Sequence, residues 1–139
     1  MSRDVPVKIV VTLEEQIALD ADEALGEIEL IGDDGGSISR GNAWLDAWLS
    51  AILDGLEGFL AGEKEQRIEI MAETQPLVVR PYRRGLRVTF RDETVEVRDV
   101  EQFRTELKSA VRGVVARLEE HEGFSPDETW SRLIAFAAS

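Results

Sequence analysis

A wide apolar stripe between residues 43 and 60 limits the folds open to this chain. Apolar side chains recur there at spacings of three and four residues, which places them on one face of an α-helix. The residues of this stripe are Leu45, Trp48, Leu49, Ile52, Leu53, Leu56, Phe59 and Leu60. Asn42 is the predicted N-cap and Gly62 the predicted C-terminal stop. Because an isolated amphipathic helix is marginal in water, the stripe predicts a sheet packed against this helix.

An antiparallel meander is predicted directly after that helix. Alternating apolar residues indicate four strands, at 67–73, 77–82, 86–91 and 94–98. For the last pair we predict a two-residue turn at 92–93, which sets Phe90 opposite Val95 and Val88 opposite Val97. The apolar residues of both strands then share one face, because side chains alternate between the two faces of a strand.

The remaining elements complete an α+β pattern. Residues 5–13 and 27–31 alternate as strands, whereas residues 14–24 fit either a short helix or a turn into another strand. Asp99 is the predicted cap of a second long helix, and Ser125 the predicted cap of a short terminal helix. At 139 residues, the chain is predicted to form one α+β domain over residues 1–139. This domain has a mostly antiparallel sheet, two long amphipathic helices packed on it and a short C-terminal helix.

Composition excludes several kinds of site. The chain has no cysteine and a single histidine, His121, so disulfides, thiolate catalysis and centres with several histidine ligands are excluded. We interpret His121 as a cation near the C-terminus of a helix, where it complements the helix dipole. We expect no cofactor, no metal and no catalytic residue, and we interpret the protein as a non-enzyme.

Net charge and hydropathy bear on partners and location. The formal charge of −12 disfavours binding to nucleic acid or to an anionic membrane. Asp46, Asp54 and Glu57 interrupt the apolar stretch 43–60, which is therefore not expected to span a membrane. No secretory signal is recognised in the opening residues, so the expected location is the cytoplasm.

Acidic loops are the predicted partner-binding surface. Residues 1–63 hold fourteen acidic and three basic residues, and so carry nearly all of the excess negative charge. Five acids cluster around two predicted loops: Asp20, Asp22, Glu23, Asp33 and Asp34. Their spacing does not follow the twelve-residue calcium-loop pattern, and turn chemistry explains them. We expect a basic protein to bind there, because complementary charge accelerates encounter.

An arginine-bearing sheet face is the alternative surface. Arg87, Arg91 and Arg98 are predicted on one face of the meander, near Tyr82. A cleft beside this face would suit a small-ligand-binding protein or an enzyme instead. A single tyrosine is too little aromatic surface for a single-stranded nucleic-acid platform. Trp44 fits either core packing or an interface anchor.

In its layout and charge, the chain resembles the small acidic immunity proteins of bacterial toxin systems. The resemblance covers about residues 41–121 and rests on three features: the helix with Leu49, Ile52, Leu53, Leu56, Phe59, Leu60 and Gly62, the arginine-bearing meander, and the covering helix 99–118. It implies a non-enzymatic inhibitor that covers the active site of a basic toxin. Acidic α+β secretion chaperones are a further alternative, although that class typically opens with a helix and this chain opens with strands. The oligomeric state and the partner's identity stay open.

Overall fold

The computed structural model describes residues 6–14, 24–121 and 123–139. In chain order, its elements are β1 (Lys8–Leu13), β2 (Leu25–Ile31), β3 (Ser37–Trp44), α1 (Leu45–Leu60), β4 (Gln66–Ile68), β5 (Leu77–Tyr82), β6 (Gly85–Phe90), β7 (Glu93–Val97), α2 (Val100–Glu119) and α3 (Glu128–Ala138). The strands form two antiparallel sheets, with orders β1-β2-β3 and β4-β5-β6-β7. The α+β class predicted from the sequence is confirmed.

Helix α1 lies at the centre of the fold. It contacts β2 and β3 of the first sheet, β4 and β5 of the second, and both other helices. Its predicted stripe is buried from Leu45 to Leu56, whereas Leu60 at the C-terminal end is 56% exposed. Trp48 packs edge-on against Phe90 of β6, with ring centroids 4.8 Å apart. One contiguous cluster of buried apolar side chains therefore includes both sheets and all three helices.

The ends of α1 differ in how well the sequence predicted them. Gly62 has φ +91° and follows the helix, and the N–H groups of Gly62 and Glu63 donate to the carbonyls of Phe59 and Gly58. This Schellman arrangement confirms the predicted stop. The prediction of Asn42 as N-cap is wrong, because Asn42 lies inside β3 with φ +50°. Trp44 occupies the N-cap position instead and makes no side-chain capping bond.

Strand β3 was not predicted, and the pairing of β6 with β7 was predicted two residues out of register. In the structure Phe90 lies opposite Glu93 and Val88 opposite Val95. The turn is formed by residues 91–92, with Arg91 at φ +58°. A shift of two residues keeps each side chain on its face, so the predicted apolar face is still the buried one.

The helices after the meander begin at aspartates. Asp99 accepts a hydrogen bond from the N–H of Gln102, which confirms it as the cap of α2. The cap of α3 is Asp127 and not Ser125, because the Asp127 carboxylate accepts from the N–H of Trp130 at 2.8 Å. His121 is exposed just beyond α2. Over the described ranges, no helix combines the length and apolarity needed to cross a membrane.

Candidate functional site

The turn between β2 and β3 is bonded to the edge of β7. The N–H of Asp33 donates to the carbonyl of Glu96 at 3.1 Å, and Asp33 Oδ2 accepts from the N–H of Arg98 at 2.6 Å. Asp34 Oδ1 accepts from the N–H groups of Gly36 at 3.1 Å and Glu96 at 3.4 Å. The two carboxylates thus take the place of a further strand on β7 and join the two sheets.

Two acids of the predicted partner site, Asp33 and Asp34, lie among the described residues. Asp33 is buried and bonded inside the protein, whereas Asp34 is exposed. Asp20, Asp22 and Glu23 lie outside the described residues. Of the five predicted acids, the described residues thus include one in the interior and one at the surface.

The outer face of the first sheet carries further acids. On this face Val10 lies opposite Glu29 and Thr12 opposite Glu27, and Glu29 in turn lies opposite Ser39. The Ser39 hydroxyl donates to Glu29 Oε2 at 3.0 Å. We name these five residues the acidic sheet face. They line a shallow depression of about 330 Å³ together with Ile28, Arg40 and Gly41.

The acidic sheet face is an open surface. Glu27 and Thr12 are exposed, and Val10 is 45% exposed although it is a large apolar side chain. The opposite side chains of the same strands, Ile9, Ile28 and Ile38, are buried in the core. The sequence pattern did not identify this face, because Glu27 and Glu29 occupy only the polar positions of an alternating strand.

A buried carboxylate lies at the junction of β3, α1 and the loop before β5. Glu73 Oε1 and Oε2 accept from Arg40 at 2.6 and 3.1 Å, and Oε2 also accepts from Trp48 Nε1 at 3.2 Å. Arg91 lies 4.0 Å from Glu73 Oε1. Burial by itself raises the pKa of Glu73, but the bonds from Arg40 and Trp48 and the charges of Arg40 and Arg91 outweigh it. The pKa of this carboxyl therefore lies below its ordinary value of 4.5.

The three arginines of the alternative surface have different surroundings. Arg87 donates to Glu96 at 3.0 Å, and its guanidinium lies 3.7 Å from the centroid of the Tyr82 ring. Arg91 is a turn residue, and its guanidinium lies over Phe90 and near Glu73. Arg98 follows the end of β7 and bonds Asp33 through its N–H group. Arg91 therefore lies beside Glu73 and its partners Arg40 and Trp48, whereas Arg87 lies on the exposed side of the second sheet.

Metal-ligand geometry and comparison with known proteins assign no role to the residues described above. In the part of the chain that the structure describes, no group of three or more His, Cys, Asp or Glu side chains is placed to hold a metal ion. Comparison with models of known protein families, with curated proteins and with solved structures finds no match to this chain. The function is therefore argued from surface geometry and charge.

Proposed function

We propose that this protein is a non-enzymatic interaction module that binds a basic protein through its acidic sheet face. The observation that carries the proposal is the position of the exposed Glu27 and the half-buried Glu29 on the outer face of the first sheet. Carboxylates on such a face cost little to keep in water and attract a positively charged partner from a distance.

The composition of this face suits a protein partner. Val10 supplies exposed apolar area at the middle of β1, and Thr12 and Ser39 supply hydroxyl groups beside the two carboxylates. Interfaces between proteins combine an apolar centre with a polar, hydrated rim. The depression of about 330 Å³ is shallow and open, and so favours a protein surface over an enclosed small molecule.

Further exposed acids lie beyond the two ends of the acidic sheet face. The exposed acid Glu14 lies beyond β1 at one end, and the exposed Asp34 lies in the turn at the other. A basic partner would meet these acids over about 20 Å, with the exposed Lys8 of β1 as a base on the same face.

The partner class that we propose is a toxin domain with a basic active-site surface. The resemblance to acidic immunity proteins supports this choice, and so does the excess of acids before residue 64. Inhibition would follow from occlusion: an acidic surface seated over a basic cleft excludes an anionic substrate and also competes with it for charge.

Association kinetics with the protein encoded directly upstream of this gene test the proposal. The test variant combines Glu27→Gln, Glu29→Gln and Asp34→Asn, which keep the size of each side chain and a carbonyl acceptor. We expect the on-rate to fall about tenfold at low salt and its salt dependence to flatten, because steering by exposed charge is screened over about 8 Å at physiological ionic strength. Polylysine serves as the control for unspecific charge attraction.

A matched variant distinguishes the face from the total charge. Glu63→Gln, Asp92→Asn and Glu119→Gln remove the same charge from exposed sites elsewhere. If both triple variants slow association equally, the acidic sheet face is not the site. Loss of binding in Arg87→Ala and Arg91→Ala, with an unchanged on-rate in the test variant, would place the site on the arginine side. Absence of binding to the upstream protein would contradict the toxin-inhibitor role.

A further inference from the structure

Two arginines face each other across the hairpin of β5 and β6. Arg80 and Arg87 are directly opposed in the register of these strands. Opposed residues on one face have Cβ atoms about 4.5–5.5 Å apart, and like charges there destabilise the pair. Both residues lie on the exposed side of the sheet, because the neighbouring Val79, Leu86 and Val88 are buried. The fold therefore places two arginine side chains at opposed positions on one face of the sheet.

Arg87 is held in place before any ligand binds. Its guanidinium lies over the Tyr82 ring at 3.7 Å, and Nη2 donates to Glu96 at 3.0 Å. Its side chain is about one-fifth exposed, whereas Arg80 is open to solvent. An immobilised arginine loses little entropy when it binds an anion, because its planar fork is already oriented.

Positive charge exceeds negative charge around this pair. Arg83 and Arg84 form the turn of the same hairpin, and Arg83 lies 5.2 Å from the Tyr82 ring centroid. Within the described residues, Arg80 and Arg84 form no ion pair. Glu96 forms an ion pair with Arg87 and so offsets one of these positive charges. The hairpin thus concentrates cationic side chains in a chain whose formal charge is −12.

We propose that Arg80 and Arg87 form a binding site for a phosphate-class oxyanion, which bridges the two guanidinium groups. A tetrahedral dianion offers oxygens to both guanidinium groups at once, whereas a carboxylate matches one fork. A nucleic-acid strand is disfavoured, because the face of Tyr82 is already occupied by Arg87 and the chain as a whole repels a polyanion. This site is independent of the acidic sheet face.

Nuclear magnetic resonance titration with inorganic phosphate at constant ionic strength tests the site. We expect saturable shifts at residues 80–87 and 96, and about tenfold weaker binding in Arg80→Gln and in Arg87→Lys, since the latter keeps the charge but loses the fork. Arg117→Gln on α2 is the matched control, because it removes one exposed arginine elsewhere and should bind phosphate as the parent does. Melting curves check that each variant is folded.

Three further arms define the chemistry. Phosphorylated serine should bind at the same residues as inorganic phosphate, since the bridging group is shared. Equal shifts with acetate would overturn the proposal, because they would indicate general attraction of anions. Binding of a single-stranded oligonucleotide without binding of phosphate would overturn it as well, and so would equal weakening in Arg117→Gln. The variant with Glu27→Gln and Glu29→Gln should bind phosphate unchanged, which separates this site from the proposed partner surface.

Discussion

Asp33 Oδ2 accepts a hydrogen bond of 2.6 Å from the backbone N–H of Arg98, which lies 65 residues further along the chain. With the bond from the Asp33 N–H to Glu96, this contact fills the outer edge of β7. It couples the two sheets through a buried carboxylate instead of a continuous strand pairing. Four predictions follow from this and the other buried contacts.

Replacement of Asp33 by alanine should destabilise the protein by about 1–3 kcal/mol, because the N–H of Arg98 loses its acceptor at a part-buried position. Urea unfolding followed by fluorescence measures the change. Asp34→Ala is the comparison, since Asp34 is exposed and should cost less. Equal effects of the two substitutions would contradict the structural role of Asp33.

The Glu73 carboxyl should contribute to the pH dependence of stability. Its pKa is lower in the folded protein than its ordinary value of 4.5, so the folded state binds its proton less readily than the unfolded state. The contribution is fully present above pH 4.5 and is lost as the pH falls through the folded pKa. Glu73→Gln should therefore melt with a shallower loss of Tm below pH 4.5 than the parent does.

Glu69→Gln is the control for Glu73, because Glu69 is an exposed acid of the same loop. It should retain the parent's slope of Tm against pH. At neutral pH, Glu73→Gln should lose about 1–3 kcal/mol, since Arg40 and Trp48 lose a charged acceptor. Identical slopes in the two variants would remove Glu73 as the cause.

Leu53→Asp should prevent cooperative folding, because Leu53 is 1% exposed at the centre of α1 and a buried unpaired charge costs several kcal/mol. Leu60→Asp, on the same helix but 56% exposed, should fold and melt close to the parent. Circular dichroism during heating distinguishes the two. A normal melt for Leu53→Asp would refute the core assigned to α1.

Gly85→Ala should be strongly destabilising, because a Cβ atom there would lie 1.7 Å from the carbonyl oxygen of Val97. Gly113→Ala on α2 should instead stabilise by about 0.5–1 kcal/mol, since the added methyl meets no atom within 4 Å and alanine favours a helix. Chemical unfolding measures both. A stable Gly85→Ala variant would contradict the close approach of β6 to the end of β7.

Periodicity predicted the elements that bury a regular stripe. The stripe of α1 and the buried face of β6 and β7 are fixed by local spacing, so they could be predicted from the sequence. Strand β3 could not, because Ile38 and Ala43 are its buried residues, and Gly41 with Asn42 interrupts the alternation between them. The two-residue register error has a similar origin, since nothing in an arginine indicates the positive φ of Arg91.

The candidate sites depend on contacts that local patterns do not contain. Glu73 meets Arg40 and Trp48 across 33 and 25 residues, and a carboxylate in a loop gives no sign of burial. Asp33 and Asp34 were predicted as a pair, yet one is buried and the other is exposed. The pairing of Arg80 with Arg87 is different, because a two-residue hairpin turn at 83–84 sets these two residues opposite each other.

The contact between the β2–β3 turn and β7 also has a kinetic meaning. Each hairpin of the two sheets closes a short loop, whereas the Asp33 and Asp34 bonds close loops of 65 and 62 residues. Long loops carry a larger entropic cost before their contacts can form, and such contacts slow the search for the native state. We therefore expect the hairpins to form before the contact between the two sheets.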